Sequence, residues 1–407
     1  LSRTNKLKIL NDPIYGFITI PNALIFDLVE HPYFQRLRRI SQLGLTYLVY
    51  PGAYHTRFHH ALGAMHLMAM AVNTLRQKGQ SISQDEEEAV YIAILLHDIG
   101  HGPFSHALEN SIIPGISHEQ LSLDFMEELN TEFNGQLSLG IQIFKNEYPK
   151  KFLHQLISSQ LDVDRLDYLR RDCFYTGVSE GRVNTERLIS MLNVADDQIV
   201  VEAKGIYSVE KFLVARRLMY WQVYLHKTVL GAEYLLIQIL NRAKAVKHLN
   251  LPMPSVLKPF IETEEFTQRK TLIAQYAQLD DYDVMAAIKE WQHCSDKVLS
   301  NLCQRLLNRK LLGVEISNQK INPDRLKQLR AKVMALFSLS ADEAHYLVFE
   351  EAISNNAYNP QRDRINLLYK NGTLVDIAKA ADQLNLSALS QPVIKYFLFA
   401  PKMVLEV

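Results

Sequence analysis

The sequence predicts a mostly α-helical protein with a smaller C-terminal α+β region. Three observations carry that expectation: apolar residues recur at helical spacing through most of the chain, period-two alternation is confined to short stretches, and the strongest hairpin turn, Asn371-Gly372, lies near the end. At about 150 residues per domain, a chain of this length suggests roughly two to three domains. A connection over 250–264, bearing Pro252, Pro254 and Pro259, marks the division. Residues 1–249 then form an N-terminal segment plus a helical domain, and 250–407 form an α+β region suited to oligomerisation or regulation.

Along the chain, Gly16-Phe17-Ile18-Thr19-Ile20 alternates weakly and reads as a strand. Arg57 to Lys78 carries Phe58, Ala61, Leu62, Met65, Met68 and Val72 on a helical period, and Gly79 supplies the stop. Ser83-Gln84-Asp85-Glu86 is a capping-box pattern whose acidic residues suit the positive end of the next helix. That helix, running through Leu96, is apolar nearly all round and is expected at the centre of the bundle. Gly100, Gly102 and Pro103 then break the chain. Further helices are expected over 118–130, 151–171, 185–194, 208–247 and 265–279. Gln198 to Glu202 reads as a strand; Arg364 to Lys370 and Thr373 to Ile377 flank the Asn371-Gly372 turn as a hairpin.

Lys+Arg and Asp+Glu both number 44, so the net charge is +0. That balance argues against a protein whose main partner is nucleic acid or an anionic membrane surface. The apolar run Ala89 to Leu96 is far short of the ~20 residues a membrane span needs. No charged-then-apolar signal segment opens the chain, and Leu1 stands first instead of Met, so a few residues are expected upstream. Cys173, Cys294 and Cys303 form no CxxC pair, which argues against a disulfide framework and makes the cytoplasm the expected compartment.

Histidine is the outlier. Eight of the 14 fall between His55 and His118, where random scatter would put about two. Crowded imidazoles point to metal binding or acid–base chemistry. His97-Asp98 sits where the buried helix ends, so both side chains can converge on one ion from adjacent sides. His60 in the first turn of the preceding helix and Asp164 in Asp162-Val163-Asp164 complete a two-nitrogen, two-oxygen set. Such mixed ligands suit Fe, Mn, Zn, Co or Ni. His66 lies in an apolar stripe and reads as a core or rim histidine, and Cys173 as a small buried apolar residue.

His97-Asp98-Ile99-Gly100-His101-Gly102-Pro103-Phe104-Ser105-His106 resembles the signature of the HD phosphohydrolase superfamily, whose fold is a helical bundle. More narrowly, the chain resembles the deoxynucleoside triphosphate triphosphohydrolases, the group of the bacterial dGTPases and the vertebrate sterile-alpha-motif HD restriction factor. Matching segments recur in order: Asn11 to Gly16, Phe34 to Arg38, Gln42-Leu43-Gly44, Pro51-Gly52-Ala53 with Arg57 to Gly63, His118-Glu119-Gln120, and Asp162 to Tyr168. The resemblance covers roughly residues 5–230.

It implies one metal on His60, His97, Asp98 and Asp164, with Mg2+ on the substrate phosphates, and hydrolysis of a deoxynucleoside triphosphate to nucleoside and intact triphosphate. It implies phosphate contacts from Arg57, Arg165 and Arg216, and phosphate-facing His101 and His106, with His106 a proton donor to the leaving 5′-oxygen. His118 oriented by Glu109 matches a catalytic histidine–carboxylate pair. Gln42 and Asp172 match groups on the 3′-hydroxyl, Tyr168 and Tyr224 a wall against the deoxyribose, and Leu43 a floor under the base. Asn11, Gln35 and Arg38 match positions that in some members grip a regulatory guanine nucleotide between subunits, implying a homo-oligomer, dimer or tetramer. The bland alternative for Arg38 is a structural ion pair. Two positions depart from the pattern: Trp221-Gln222 stands where paired basic residues are expected, and Glu30 where an Asp is.

Two other readings compete. One is an HD phosphohydrolase acting on another nucleotide phosphoester; the Gly-Tyr-Pro element of cyclic-dinucleotide hydrolases and the Glu-Asp of guanosine-tetraphosphate hydrolases are both absent after His97-Asp98. The other is a non-catalytic nucleotide sensor or nucleic-acid binder, which the neutral charge and the full ligand set disfavour.

Overall fold

The Arg57–Gln77 helix forms the spine of the fold in the computed structural model, which describes residues 8–263, 266, 268–355, 364–381 and 393–405. It packs against the Gln84–Leu96 helix, which is buried along nearly its whole length. The expected capping box is present: Ser83 Oγ accepts from the Glu86 N–H at 3.1 Å, and Glu86 Oε2 accepts from the Ser83 N–H at 2.8 Å. The Val163–Thr176 helix crosses the spine at Gly63, where a Cβ would fall 2.1 Å from Asp167 Oδ1 and 2.2 Å from Arg171 Nη2. Only glycine lets the two helices approach this closely, and that approach brings Asp164 and Asp167 to His60.

Several expected helices are divided. The stretch 151–171 is two helices, Lys151–Ile157 and Val163–Thr176, because Asp162 caps the second by accepting from the Arg165 N–H at 2.7 Å. The stretch 185–194 is helical only over Thr185–Met191; Leu192–Ala195 is instead strand β3, paired antiparallel with β4, Gln198–Glu202. The stretch 208–247 divides into Ile206–Met219 and Lys227–Ala245, separated by a π-helical turn over Tyr220–Tyr224. The helix expected over 265–279 runs Arg269–Tyr276, with residues 265 and 267 outside the described residues.

The C-terminal region is α+β, as expected. Its helices Asp281–Trp291, Lys297–Leu307 and Pro323–Phe337 accompany a three-stranded antiparallel sheet in which β9 (Val393–Ala400) lies between β5 (Gly313–Ser317) and β6 (Phe349–Asn355). The hairpin also forms, as β7 (Asn366–Leu368) and β8 (Leu374–Asp376), with Gly372 at φ +83 in the turn. β7 pairs parallel to β4, so a strand from beyond residue 250 completes a sheet begun at Leu192. None of the described helices is long and apolar enough to cross a membrane.

Arg36 fastens the two regions. Its wholly buried guanidinium donates to the carbonyls of Ile99 (3.1 Å), His101 (2.6 Å) and Leu279 (2.9 Å). Arg36→Met leaves three buried carbonyls unpaired, and an unpaired buried group costs on the order of 1–3 kcal/mol. The variant is expected to lose about 3 kcal/mol in urea unfolding, with the loop after His97 loosening first. A loss within error of zero would assign that loop's order to other contacts.

Candidate active site

The broken end of the Gln84–Leu96 helix delivers His97 and Asp98 to a cluster with His60 and Asp164. Asp164 Oδ1 lies 3.0 Å from His60 Nε2 and 3.5 Å from His97 Nε2. Asp98 lies 3.6 Å from His60 Nε2 and 3.4 Å from His97 Nε2. Ligands about 2.1 Å from one ion stand roughly 3.0–3.4 Å apart, so these spacings fit a shared cation. The imidazoles are also oriented for one. His60 Nδ1 bonds Asp167 Oδ2 at 2.7 Å and His97 Nδ1 bonds the Ile94 carbonyl at 2.6 Å. Both Nε2 atoms are buried without a well-formed hydrogen bond, as lone pairs awaiting a metal would be. Burial alone would lower the His60 pKa, but the adjacent carboxylates of Asp164 and Asp167 outweigh it and push it up to about 10.

Beside this cluster opens a cavity of about 560 Å³. Asp98, Asp164, Arg57 and Arg165 line it. Arg57 pairs with Asp98 and donates to Ser105 Oγ at 2.9 Å; Arg165 Nε donates to the Ser159 carbonyl at 2.7 Å. His101, His106 and His118 also line the cavity, the His101 and His118 rings stacked 4.0 Å apart. Glu109 Oε1 bonds His118 Nδ1 at 2.6 Å and the His118 N–H at 2.8 Å, while its Oε2 lies 3.2 Å from His106 Nδ1. Burial opposes ionisation of Glu109, but hydrogen bonds from His106 and His118 hold it well below the usual carboxylate range. His101 is kept neutral by burial and by the adjacent Arg57.

Gln42, Leu43, Tyr168, Asp172 and Tyr224 complete the lining among the residues expected there. Tyr224 donates to Asp172 Oδ2 at 2.7 Å, and the Tyr168 and Tyr224 rings meet edge-on at 6.2 Å. The π-helical turn is what carries Tyr220 and Tyr224 into this wall. Arg216 does not line the cavity: it donates to Gln160 at 3.3 Å and lies 5.9 Å from the Tyr220 ring. Asn11, Gln35 and Arg38 also lie outside the lining. Asn11 is exposed on β1 (Ile9–Asp12), Gln35 donates to the Val29 carbonyl, and Arg38 donates to Gln35 and covers the Phe58 ring at 3.5 Å, with an amide rather than a carboxylate as partner.

Sequence reasoning missed several supports. His55 is buried, bonds Asp172 Oδ1 at 2.7 Å and stacks on Tyr175. Asp167 orients His60 and is itself held by Arg171, which also pairs with Asp12. Asp281 accepts from the N–H groups of Ser41 and Phe104, pinning a loop where Phe104 and Ser105 both take positive φ. Asp12 and Asp167 stand in the quoted motifs; Asp281 gave no local signal.

Two imidazoles and two carboxylates converging at a broken helix, beside a cavity lined by Arg57, Arg165 and three further histidines, define a metal-binding hydrolase. The HD domain profile matches residues 57–172 and the HD associated region residues 183–250. The chain belongs to the HD-domain phosphohydrolase superfamily. Bacillus subtilis YwfO is 34% identical over 387 residues, spanning 91% of this chain and 87% of that protein. The Dictyostelium discoideum homolog of the deoxynucleoside triphosphate triphosphohydrolase SAMHD1 is 29% identical, over 80% of this chain and 64% of that protein. The crystal structure of a phosphohydrolase from Bacteroides thetaiotaomicron superposes with a TM-score of 0.94 at 52% identity, covering 97% of this chain and 99% of that one.

Proposed function

We propose that the chain hydrolyses deoxynucleoside triphosphates at the α-phosphorus, releasing a deoxynucleoside and intact triphosphate. The observation that carries this reading is one cavity joining the His60, His97, Asp98, Asp164 cluster, the His118–Glu109 pair and the Tyr168–Tyr224 wall. His60, His97, Asp98 and Asp164 would hold a divalent transition metal, which would supply Lewis acidity at the reacting phosphoryl group. Arg57, Arg165 and the imidazoles of His101 and His106 face the anionic chain, with Mg2+ sharing its charge. Water loses a proton to solvent as it attacks phosphorus, the bond to the 5′-oxygen breaks, and His106 or His118 protonates that oxygen and regains its proton from solvent. Tyr224, held by Asp172, crowds the space a 2′-hydroxyl would need, while Gln42 and Asp172 take the 3′-hydroxyl.

The reading extends to regulation. Asn11 and Arg38 are exposed and can meet a guanine nucleotide at a dimer or tetramer interface, with 250–407 contributing to assembly. The test is product analysis with Mn2+ or Mg2+, each deoxynucleoside triphosphate singly and then with GTP added. Deoxynucleoside plus triphosphate is expected; monophosphate or free phosphate as the first product would overturn α-phosphorus chemistry.

A further inference from the structure

Two acidic groups in the cavity lining are not used by this chemistry: Glu119, which lies 3.5 Å from His118 Nε2, and Glu233, which has no such partner. Glu233, on the Lys227–Ala245 helix, reaches a wall formed with Leu43, Gly44, Ala107 and Leu230. Its Oε1 lies 3.5 Å from where a Cβ on Gly44 would stand, which places the carboxyl beside that stretch of the cavity lining. Glu233 is partly exposed, and among the described residues its carboxyl has no hydrogen-bond or ion-pair partner. An unpaired carboxyl on an otherwise apolar wall is a recognition group waiting for its ligand's donors.

We propose that Glu233 reads the hydrogen-bonding edge of the substrate's base and makes the cavity guanine-selective when its carboxyl is ionised. This rests on the nucleotide reading of the same cavity. A carboxylate only accepts hydrogen bonds. Guanine alone among the DNA bases offers two adjacent donors, N1–H and the N2 amine, that one carboxylate takes bidentately. Adenine, cytosine and thymine each place an acceptor beside their donor, setting a lone pair against the second oxygen. A protonated carboxyl, with one donor and one acceptor, pairs with all four.

Protonation therefore sets the selectivity, and burial alone pushes this carboxyl up to about 8. The elements packed on its helix carry His106 on Ser105–Leu108, Tyr47 on Thr46–Leu48, Glu109 on Glu109–Ile112, and Tyr220 and Tyr224 on the π-helical turn. Glu315 on β5, Lys297, Cys303 and Arg305 on Lys297–Leu307, and Lys258 and Glu262 on Lys258–Glu262 complete the set. None of them contributes to the shift.

The test is the ratio of kcat/KM for dGTP to that for dTTP, in the wild-type protein and Glu233→Gln, at about pH 6.5 and about pH 8.5; a ratio cancels titrations common to both substrates. The wild-type ratio is expected to rise roughly tenfold with pH, and the Glu233→Gln ratio to change by less than about twofold. Equal ratios, or a parallel rise in both proteins, with triphosphate still released, overturn base reading and leave the proposed function standing. Absence of triphosphate from both dGTP and dTTP overturns base reading and the proposed function together. Calorimetry gives a readout free of turnover: deoxyguanosine binding near neutral pH releases a proton from the wild-type protein and none from Glu233→Gln. Proton release from both proteins, or from neither, rejects the assignment.

Discussion

Asp164→Ala protein is expected to fold, to carry no metal after purification, and to turn over substrate at least roughly three orders of magnitude more slowly. Asp164 is the one carboxylate within 3.5 Å of both imidazole Nε2 atoms that has no arginine partner, whereas Asp98 is shared with Arg57. Its removal therefore takes away the least committed negative charge. The fold survives because Asp164 is partly exposed, while the buried Asp167–Arg171 pair, which joins the crossing helices, is untouched. Metal content by mass spectrometry and melting with and without added Mn2+ check the claim. Normal turnover in a metal-free variant would reject the cluster as the reaction centre. The wild-type protein should also load metal in a pH-dependent way. With the His60 pKa at about 10, a proton occupies the ring through the neutral range and must leave before Nε2 can ligate. Affinity then rises with pH, by up to about tenfold per unit for one displaced proton, and falls in acid.

The cluster was legible in the sequence for a chemical reason. His97-Asp98 follows the apolar C-terminal half of a buried helix, and His60 and Asp164 open their own, so each ligand sits where a helix terminus can aim it. Periodicity found the spine and the central helix because both are long and uninterrupted. It failed where tertiary contacts override propensity. Leu192–Ala195 continues a helical pattern but is claimed by β4, and the 208–247 pattern hides a π-helical turn that costs one residue of register and gains two cavity tyrosines. Arg36, His55 and Asp281 went unassigned because their partners lie far away in sequence: Arg36 reaches Leu279, His55 reaches Asp172, and Asp281 reaches Ser41. A buried polar residue is locally indistinguishable from a surface one. Arg216, placed at the phosphates by resemblance, stands against Gln160 and Tyr220 instead.

Glu109→Gln is expected to lower kcat by about 10²–10³-fold with little change in KM. Glu109 does two jobs for His118. It accepts from the backbone N–H, fixing where the Ser117-capped helix begins, and it bonds Nδ1, fixing the ring and directing Nε2 away from itself. Glutamine keeps an acceptor for the N–H, so the helix start persists; what it removes is the negative charge that favours a positively charged imidazole. Glu109 is held far below the usual carboxylate range, so that charge is present across the working pH range. Without it nothing offsets the positive charge on the imidazole that hands over the proton. A kcat within about twofold of wild type would make Glu109 a structural brace for the His106–His118 loop rather than an electrostatic partner of the proton donor. Glu109→Asp, which keeps the charge but shortens the reach, separates the two further: an electrostatic role predicts that it recovers more of kcat than glutamine does.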